Sequence, residues 1–214
     1  MQDLSKFQHP RFARAYQRLS AESERQGMAA HRRDLLAGLR GRVIEVGAGN
    51  GLNFAHYPDT VEEVVAVEPE HLLRAMAEEA AASARVPVRV VPGHAGALPV
   101  ADGTFDAAVL SLVLCSVPDQ VAALLEVRRA LAAGGEMRFL EHVRSGNPLK
   151  AIVQDLLTPL WWRMGGGCRL NRDTAAAIMA SGLVIEEERR FPYRPMPVSL
   201  TTAHIMGRAR NPAA

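Results

Sequence analysis

The chain has 214 residues, and its 25 basic and 23 acidic side chains give a formal net charge of +2. Because the basic residues are also scattered along the chain, this balance argues against a nucleic-acid-binding protein. The length and an apolar fraction of 48% suit a single α/β domain, residues 1–214, with one core.

The N-terminal sequence and the two cysteines both indicate a cytoplasmic location. The first six residues do not combine a basic segment with an apolar stretch, and no apolar run approaches the roughly 18 residues of a membrane-spanning helix. The two cysteines, Cys115 and Cys168, are far apart and lack the spacing of metal ligands. We therefore expect a cytoplasmic monomer or homodimer with free thiols, no metal and no membrane anchor.

Apolar periodicity and Gly or Pro punctuation predict the elements in chain order. Residues 1–40 are expected to be helical, with Phe12, Ala15 and Leu19 among the apolar positions. The predicted strands cover residues 43–46, 61–68, 86–91, 105–112, 136–141, 183–190 and 201–210. The predicted later helices cover residues 70–84, 119–132 and 172–181, and the second of them is expected to stop at Gly134.

The order of these elements predicts the kind of sheet. Short apolar runs that alternate with helices indicate parallel strands with right-handed crossovers. The run 105–112 is almost wholly apolar, which is typical of a strand covered on both faces. The last two strands are joined by a short link, so they are expected to form an antiparallel hairpin at the sheet edge.

A glycine-rich turn follows the first predicted strand. Gly47, Gly49 and Gly51 stand at alternate positions, where they can turn sharply and bring backbone N–H groups close to a ligand. A dinucleotide fingerprint would need glycine where Leu52 stands, and the Gly-Lys-Ser/Thr of a phosphate-binding loop is missing. A pyrophosphate ligand, and with it an NAD-dependent oxidoreductase, is therefore disfavoured. The alternative is an ordinary glycine-rich turn.

Two carboxylates accompany this turn. Glu68 ends the next apolar run, about 20 residues after the loop, where a carboxylate can accept the hydroxyl hydrogens of a ribose. Glu45 precedes the first glycine, and a negative charge there would complement a cationic ligand. Together these features resemble the class I S-adenosylmethionine (SAM) methyltransferases.

That resemblance implies a fold, a cofactor and an organisation. The expected fold is α/β and Rossmann-like, with a seven-stranded, mostly parallel sheet, helices on both faces and a C-terminal antiparallel hairpin. Residues 1–40 would form a helical lid, 41–145 the SAM-binding core, and 146–214 the acceptor-side helices and last strands. The residues expected to bind SAM are Tyr16, Glu45, Gly47, Ala48, Gly49, Gly51, Asn53, Glu68, Pro69, His94, Ala95 and Leu112.

The loop after the third strand departs from the family pattern. Many relatives carry Asp and then Glu where this chain has His94 and Gly96. The amino group of the SAM adenine would then be bound by His94 or by the backbone N–H of Ala95. The alternative for His94 is a surface loop histidine.

A narrower resemblance rests on the segments after strands four and five. Residues 112–117, 141–143 and 155–170, together with Asn53-Phe54 and Tyr57-Pro58, resemble the mammalian methyltransferase-like proteins that methylate alkyl thiols. The resemblance spans residues 42 to about 175 and is shared in part by methyltransferases of menaquinone and phospholipid synthesis. Those mammalian proteins carry an apolar N-terminal anchor, whereas this chain begins with a polar stretch. Membrane attachment is therefore not carried over.

The acceptor is expected at the carboxyl ends of strands four and five. We expect His142 to be the catalytic polar residue of the acceptor site, where an imidazole with an ordinary pKa of about 6.5 could take a proton from a thiol with an ordinary pKa of about 8.5. The alternative is a histidine held by backbone groups. The residues expected to line the acceptor pocket are Phe12, Cys115, Trp161 and Trp162. Cys115 is predicted to be buried rather than nucleophilic, and core packing is the alternative for both tryptophans.

These features favour methyl transfer to a small-molecule nucleophile, with a thiol as the leading acceptor. A phenol, quinol, amine or carbon acceptor is the alternative, and a SAM-binding module without catalysis is the second alternative. A nucleic-acid methyltransferase would usually carry an Asn/Asp-Pro-Pro-Tyr type of tetrapeptide where this chain has Ser111-Leu112-Val113-Leu114.

Overall fold

A computed structural model describes residues 2–197 and 199–213, and the side chain of Met164 lies outside what it describes. The strands are β1 Gly41–Val46, β2 Val61–Glu68, β3 Val88–Pro92, β4 Phe105–Ser111, β5 Leu131–Val143, β6 Val184–Tyr193 and β7 Thr202–Arg210. The helices are α1 Pro10–Ser23, α2 Ala29–Leu36, α3 His71–Ala81, α4 Gln120–Ala130, α5 Pro148–Met164 and α6 Thr174–Ala180.

The seven strands form one sheet in the order β3-β2-β1-β4-β5-β7-β6. Strands β1 to β5 pair in parallel, while β7 pairs antiparallel with both β5 and β6. The predicted mixed sheet with its C-terminal antiparallel pair is confirmed. Because β7 runs in the opposite direction, the start of β7 and the end of β5 lie at the same edge as the glycine loop.

Apolar layers cover both faces of the sheet, as predicted. On one face, Ile44 of β1 belongs to the same buried cluster as Leu124 of α4 and Ile178 of α6. On the other face, Val43 belongs to the cluster that contains Leu36 of α2 and Ala77 of α3. Successive residues of β1 therefore serve opposite layers, which is the period of two expected of a strand covered on both sides.

The predicted N-terminal helix 1–40 is not continuous. A five-residue π-helical segment, Glu24–Met28, separates α1 from α2, and Gly27 within it has a φ of 106°. Leu19 is 43% exposed, whereas Ala13 and Ser20 are buried. The predicted apolar face of this region was therefore wrong at Leu19, because α1 lies over the glycine loop and not over the apolar core.

Gly134 does not stop a helix. Helix α4 already ends at Ala130, and Gly134, with a φ of 76°, lies within β5. The pairing with β4 shifts register there, since Phe105 faces Leu131 but Ala107 faces Glu136. The glycine accommodates a bulge, which admits extra residues on one strand.

The observed helix α5 has no counterpart among the helices predicted individually. Within the described residues, no helix combines the length and the apolar character needed to cross a membrane.

Candidate active site

The glycine loop follows β1 and has a backbone that only glycine accepts easily. Gly47 and Gly51 have φ values of 71° and 79°, in the left-handed region. A Cβ at Gly47 would lie 2.6 Å from Val113 Cγ2, and one at Gly51 would lie 2.8 Å from Ala80 Cβ. The loop therefore packs directly against the segment after β4, which brings the expected cofactor and acceptor regions together.

Glu68 ends β2 beside this loop and is buried, with 5% of its surface exposed. One carboxylate oxygen accepts from the N–H of Gly49 at 2.8 Å, and the other accepts from the N–H of Glu70 at 2.9 Å. Burial raises the pKa of Glu68 to about 7. Since a carboxylate offers about four acceptor positions, the group can still accept two hydroxyl donors.

Glu45 is held from within the protein. Asn53 Nδ2 donates to one of its oxygens at 2.9 Å, and the Tyr57 hydroxyl donates to the other at 2.7 Å. The residue is 2% exposed, and burial raises its pKa to about 7. The structure therefore gives Glu45 a role in bracing the loop, through Asn53 and Tyr57.

Sequence reasoning missed Arg32, which joins the N-terminal helices to the glycine loop. This buried guanidinium on α2 donates to Asn53 Oδ1 at 2.8 Å and forms an ion pair with Glu24 at 2.8 Å. The spacing from Met28 through position 32 to Leu35 indicated a buried helix face. An arginine on such a face implied a buried partner, but not its identity.

The segment before α2 crosses the loops that follow β1, β2 and β3. These loops, with the segment after β4 and the end of β5, surround the candidate cleft. The ring of Phe7 stacks on His94 with centroids 4.8 Å apart, and Gln8 Nε2 donates to Pro69 O at 2.8 Å. Further along, Tyr16 lies against the glycine loop, 3.5 Å from the position of a Cβ on Gly49. Burial raises the pKa of Tyr16, with Arg32, Glu68 and Cys115 also acting on it. Tyr16 therefore lies between the two halves of the site.

His94 and Ala95 form a tight turn after β3. His94 Nδ1 accepts from the N–H of Gly96 at 3.2 Å, and burial lowers the pKa of the imidazole. Ala95 is buried. The structure thus places both at the rim of the cleft, next to the N-terminal segment.

The segment after β4 begins with a strained residue. Leu112 has a φ of 61°, which is unusual for a residue with a Cβ. The N–H groups of Val113, Leu114 and Cys115 all donate to the Glu141 carboxylate, at 2.9, 2.9 and 3.3 Å. Glu141 therefore has the structural role of fixing the wall of the cleft.

His142 follows Glu141 at the carboxyl end of β5 and is 7% exposed. Its Nδ1 lies 4.0 Å from Cys168 Sγ, and its Nε2 has no hydrogen-bond partner within residues 2–197 and 199–213. Its cross-strand neighbour is His204, with ring centroids 5.4 Å apart. The backbone-held alternative for this histidine is therefore not supported by the contacts of the described residues.

The two cysteines, distant in sequence, meet beside His142. A hydrogen bond from the Cys115 thiol lowers the pKa of Cys168, and His142 and Trp161 act in the same direction. The pKa of Cys115 is raised by this hydrogen bond and by burial, and the residue is buried, as predicted. Cys168 is half-buried, and both thiols are free.

His204 was also missed. It is 5% exposed, and its ring contacts Phe191 and Tyr193 at centroid distances of 5.7 and 5.4 Å. Burial lowers its pKa to about 3, so the imidazole is neutral at physiological pH. The local indication was a histidine directly before the apolar pair Ile205-Met206, and its partners depend on the antiparallel register of β7.

The remaining predicted acceptor residues lie around residues 165–168. A Cβ on Gly166 would lie 2.5 Å from the Phe12 ring, so α1 closes against this loop. Trp161 is 47% exposed, and its indole helps to lower the pKa of Cys168. Trp162 is 45% exposed, and its indole makes no hydrogen bond or ring contact to the other site residues in the described part of the chain.

The donor set fits SAM. A buried carboxylate stands ready for ribose hydroxyls, and a glycine loop leaves no Cβ between the backbone and a ligand. No group of three or more His, Cys, Asp or Glu side chains within the described residues could hold a metal ion.

Comparisons with known proteins agree with this geometry. A family model described as a methyltransferase domain matches residues 44–139. The chain is 33% identical over 207 residues to thiol S-methyltransferase TMT1B of Rattus norvegicus, covering 92% of this chain and 81% of the relative. It is 36% identical over 184 residues to the Homo sapiens TMT1B protein, covering 81% and 73%. Geranyl diphosphate methyltransferase in complex with SAM has a similar fold, with a TM-score of 0.68, 16% identity, and coverage of 91% of this chain and 89% of that one.

The sequence identity over most of both chains establishes the family, and the structural match agrees with the fold. This chain therefore belongs to the SAM-dependent methyltransferase family, and its cofactor is S-adenosylmethionine.

Proposed function

We propose that this methyltransferase transfers the methyl group of SAM to the sulfur of a small apolar thiol. The observation that carries the proposal is the buried His142 imidazole, whose Nε2 has no partner among the described residues, next to the wall that packs on the glycine loop. The names of the relatives at 33% and 36% identity support the same acceptor class.

The cofactor side of the proposal rests on Glu68 and the glycine loop. Glu68 would accept the ribose hydroxyls, while Gly47, Ala48, Gly49 and Gly51 would form the backbone surface under the aminoacyl part. Asn53 and Glu45 would hold that loop in shape through their mutual hydrogen bond.

The remaining cofactor contacts would come from residues around the rim. Tyr16 would close over the centre of the cleft, and Leu112 would lie at its floor. Pro69, His94 and Ala95 would surround the adenine. The ring of Phe7, which stacks on His94, would hold that imidazole in place.

Bound SAM supplies a methyl group that its sulfonium has already activated. The chain must then hold an acceptor sulfur in line with that methyl group and exclude water. The proton of the acceptor thiol would pass to His142 Nε2, while Cys168 beside Nδ1 positions the ring. The sulfur–carbon bond forms as the bond between the methyl group and the cofactor sulfur breaks.

Apolar surroundings favour an apolar acceptor. Cys115 is buried, Phe12 lies against residues 165–168, and the neutral His204 adds no charge near His142. These groups, with Trp161 and Trp162 at the entrance, would form the walls of the acceptor pocket.

Product analysis tests the proposal. Purified protein is incubated with methyl-deuterated SAM and a mixed panel of alkyl thiols, phenols, amines and quinols, and products are identified by mass spectrometry. The expected result is a labelled S-methyl product, reduced at least about tenfold in Glu68→Ala, because hydrogen bonds to a charged group contribute about 1.5–3 kcal/mol each. Glu68→Gln, which keeps an acceptor oxygen, is the matched control and should lose less.

Each other outcome has a defined meaning. Methylation of oxygen, nitrogen or carbon alone would replace the thiol by another acceptor class. Binding of S-adenosylhomocysteine without methylation of any panel member would favour the non-catalytic module. Unchanged cofactor affinity in Glu68→Ala would contradict the placement of the ribose.

A further inference from the structure

Helix α5 has an unusual surface. Eight of the thirteen large apolar side chains that are exposed in the described part of the chain lie on this one helix. They are Leu149, Ile152, Val153, Leu156, Leu157, Leu160, Trp161 and Trp162. Soluble monomers rarely expose a contiguous apolar surface of this kind without a binding role.

The apolar side of α5 faces away from the protein. The side that faces the protein carries Ala151 and Gln154, which are buried, and the half-buried Thr158. Gln154 attaches the helix through polar contacts, since its Oε1 accepts from the N–H of Ser145 at 2.7 Å and its Nε2 donates to Val143 O at 3.2 Å. At 100° per residue, Leu149, Leu156 and Leu160 lie opposite this stripe. An ordinary surface helix has the reverse arrangement.

Basic residues flank the apolar surface. Lys150 and Arg163 on the helix and Arg169 just beyond it are exposed. The acidic residue of the helix, Asp155, forms an ion pair with Arg144 at 2.7 Å and accepts from Asn171 at 3.0 Å. The net charge around the exposed leucines is therefore positive.

We propose that α5 docks this protein on the surface of an anionic lipid bilayer, with its leucines and tryptophans in the interface and its basic residues on the headgroups. A helix lying in the membrane plane needs an outward apolar face and cationic flanks, and α5 has both. A second copy of the chain fits less well, because a two-fold contact through α5 would oppose the same basic residues.

The position of α5 gives this docking a consequence. The helix leads directly into residues 165–168, where Gly166 meets Phe12 and Cys168 lies beside His142. A protein docked through α5 would hold its acceptor entrance at the bilayer, where apolar small molecules accumulate. The docking itself does not depend on which acceptor is methylated.

The chain contains two tryptophans, and both are on α5, so tryptophan fluorescence excited at a wavelength that tyrosine does not absorb reports on this helix alone. The 214-residue chain is mixed with phosphatidylcholine vesicles with or without phosphatidylglycerol, and co-sedimentation and tryptophan emission are measured. The expected result is binding with a blue shift on the anionic vesicles, weakened by added salt.

Two triple variants make the test specific. Leu149→Gln, Leu156→Gln and Leu160→Gln together should lower the partition coefficient at least about tenfold, because three apolar side chains no longer enter the interface. Leu125→Gln, Met179→Gln and Val184→Gln remove three apolar side chains from α4, α6 and β6 that are also exposed, at 49%, 60% and 55%, and this variant should bind like the wild type. Circular dichroism and thermal unfolding check that both variants fold.

Several results would overturn the proposal. These are no binding to anionic vesicles, equal binding to neutral vesicles, or equal losses in the two triple variants. A concentration-dependent dimer without lipid, abolished by the α5 variant, would assign the surface to a second copy of the chain.

Discussion

Glu68 is the last residue of β2 and His142 is the last but one of β5, and the proposed reaction needs one on each side of the transferred methyl group. The Glu68 carboxylate accepts from the N–H groups of Gly49 and Glu70, so its position depends on the glycine loop. His142 depends instead on contacts from residues far along the chain, namely Cys168 and His204.

Replacing His142 by glutamine should affect acceptors according to their acidity. We expect His142→Gln to lower kcat about a hundredfold for an alkyl thiol, which needs a base, but less than tenfold for a more acidic aryl thiol, which is largely ionised already. Parallel kcat measurements on the two thiols check this, with His71→Gln, an exposed histidine at the start of α3, as control. Equal losses for both thiols would remove His142 from the proton transfer.

At the level of single residues, the sequence predicts those candidate site residues that belong to a short local motif. Glu45, Gly47 and Glu68 belong to one strand–loop–strand segment and could be predicted together. Arg32 and His204 could not, because their partners lie on elements that meet only after the sheet has formed.

Between elements, Glu141 joins the end of β5 to the segment after β4. Three backbone N–H groups donate to one buried carboxylate, and burial raises its pKa to about 7. An unfolded glutamate titrates near about 4.3. Between these pH values the folded chain keeps a proton that the unfolded chain has released, so the free energy of unfolding falls as the pH rises through this window.

Glu141→Gln should remove this part of the pH dependence. Relative to the wild type, the variant should gain about 1–3 kcal/mol in free energy of unfolding between pH 5 and about pH 8, because glutamine does not titrate. Urea unfolding at several pH values measures the difference, and Glu62→Gln at an exposed position should retain the wild-type slope. Parallel profiles for wild type and Glu141→Gln would contradict the account.

The elements themselves were predictable where their periodicity is simple. Strand β2 matches its predicted bounds, 61–68, because it is an apolar run with clear ends. Helix α5 was not predicted individually, since its apolar residues face outward and an internal Pro159 interrupts the pattern. The sequence predicts a helix end at Gly134, where the structure has a β-bulge. Glycine with a positive φ is common in both helix ends and bulges, so the sequence does not distinguish them.

Across the whole molecule, sheet order brings the candidate site residues together at the carboxyl ends of the parallel strands. Strands β1 and β2 supply the glycine loop and Glu68, β4 and β5 supply the wall and His142, and the reversed β7 returns His204 to the same edge. Helix α1 lies against the same edge, with Phe12 near Gly166 and Tyr16 near Gly49. The fold class followed from the alternation of elements, while the convergence of these side chains required the three-dimensional pairing.

A crystal structure with S-adenosylhomocysteine and an alkyl thiol tests the central claim most directly. The account predicts ribose hydroxyls at hydrogen-bond distance, about 3 Å, from Glu68. It also predicts the thiol sulfur between the cofactor sulfur and His142 Nε2. A ribose bound away from Glu68, or a thiol on the side of the cofactor away from His142, would contradict it.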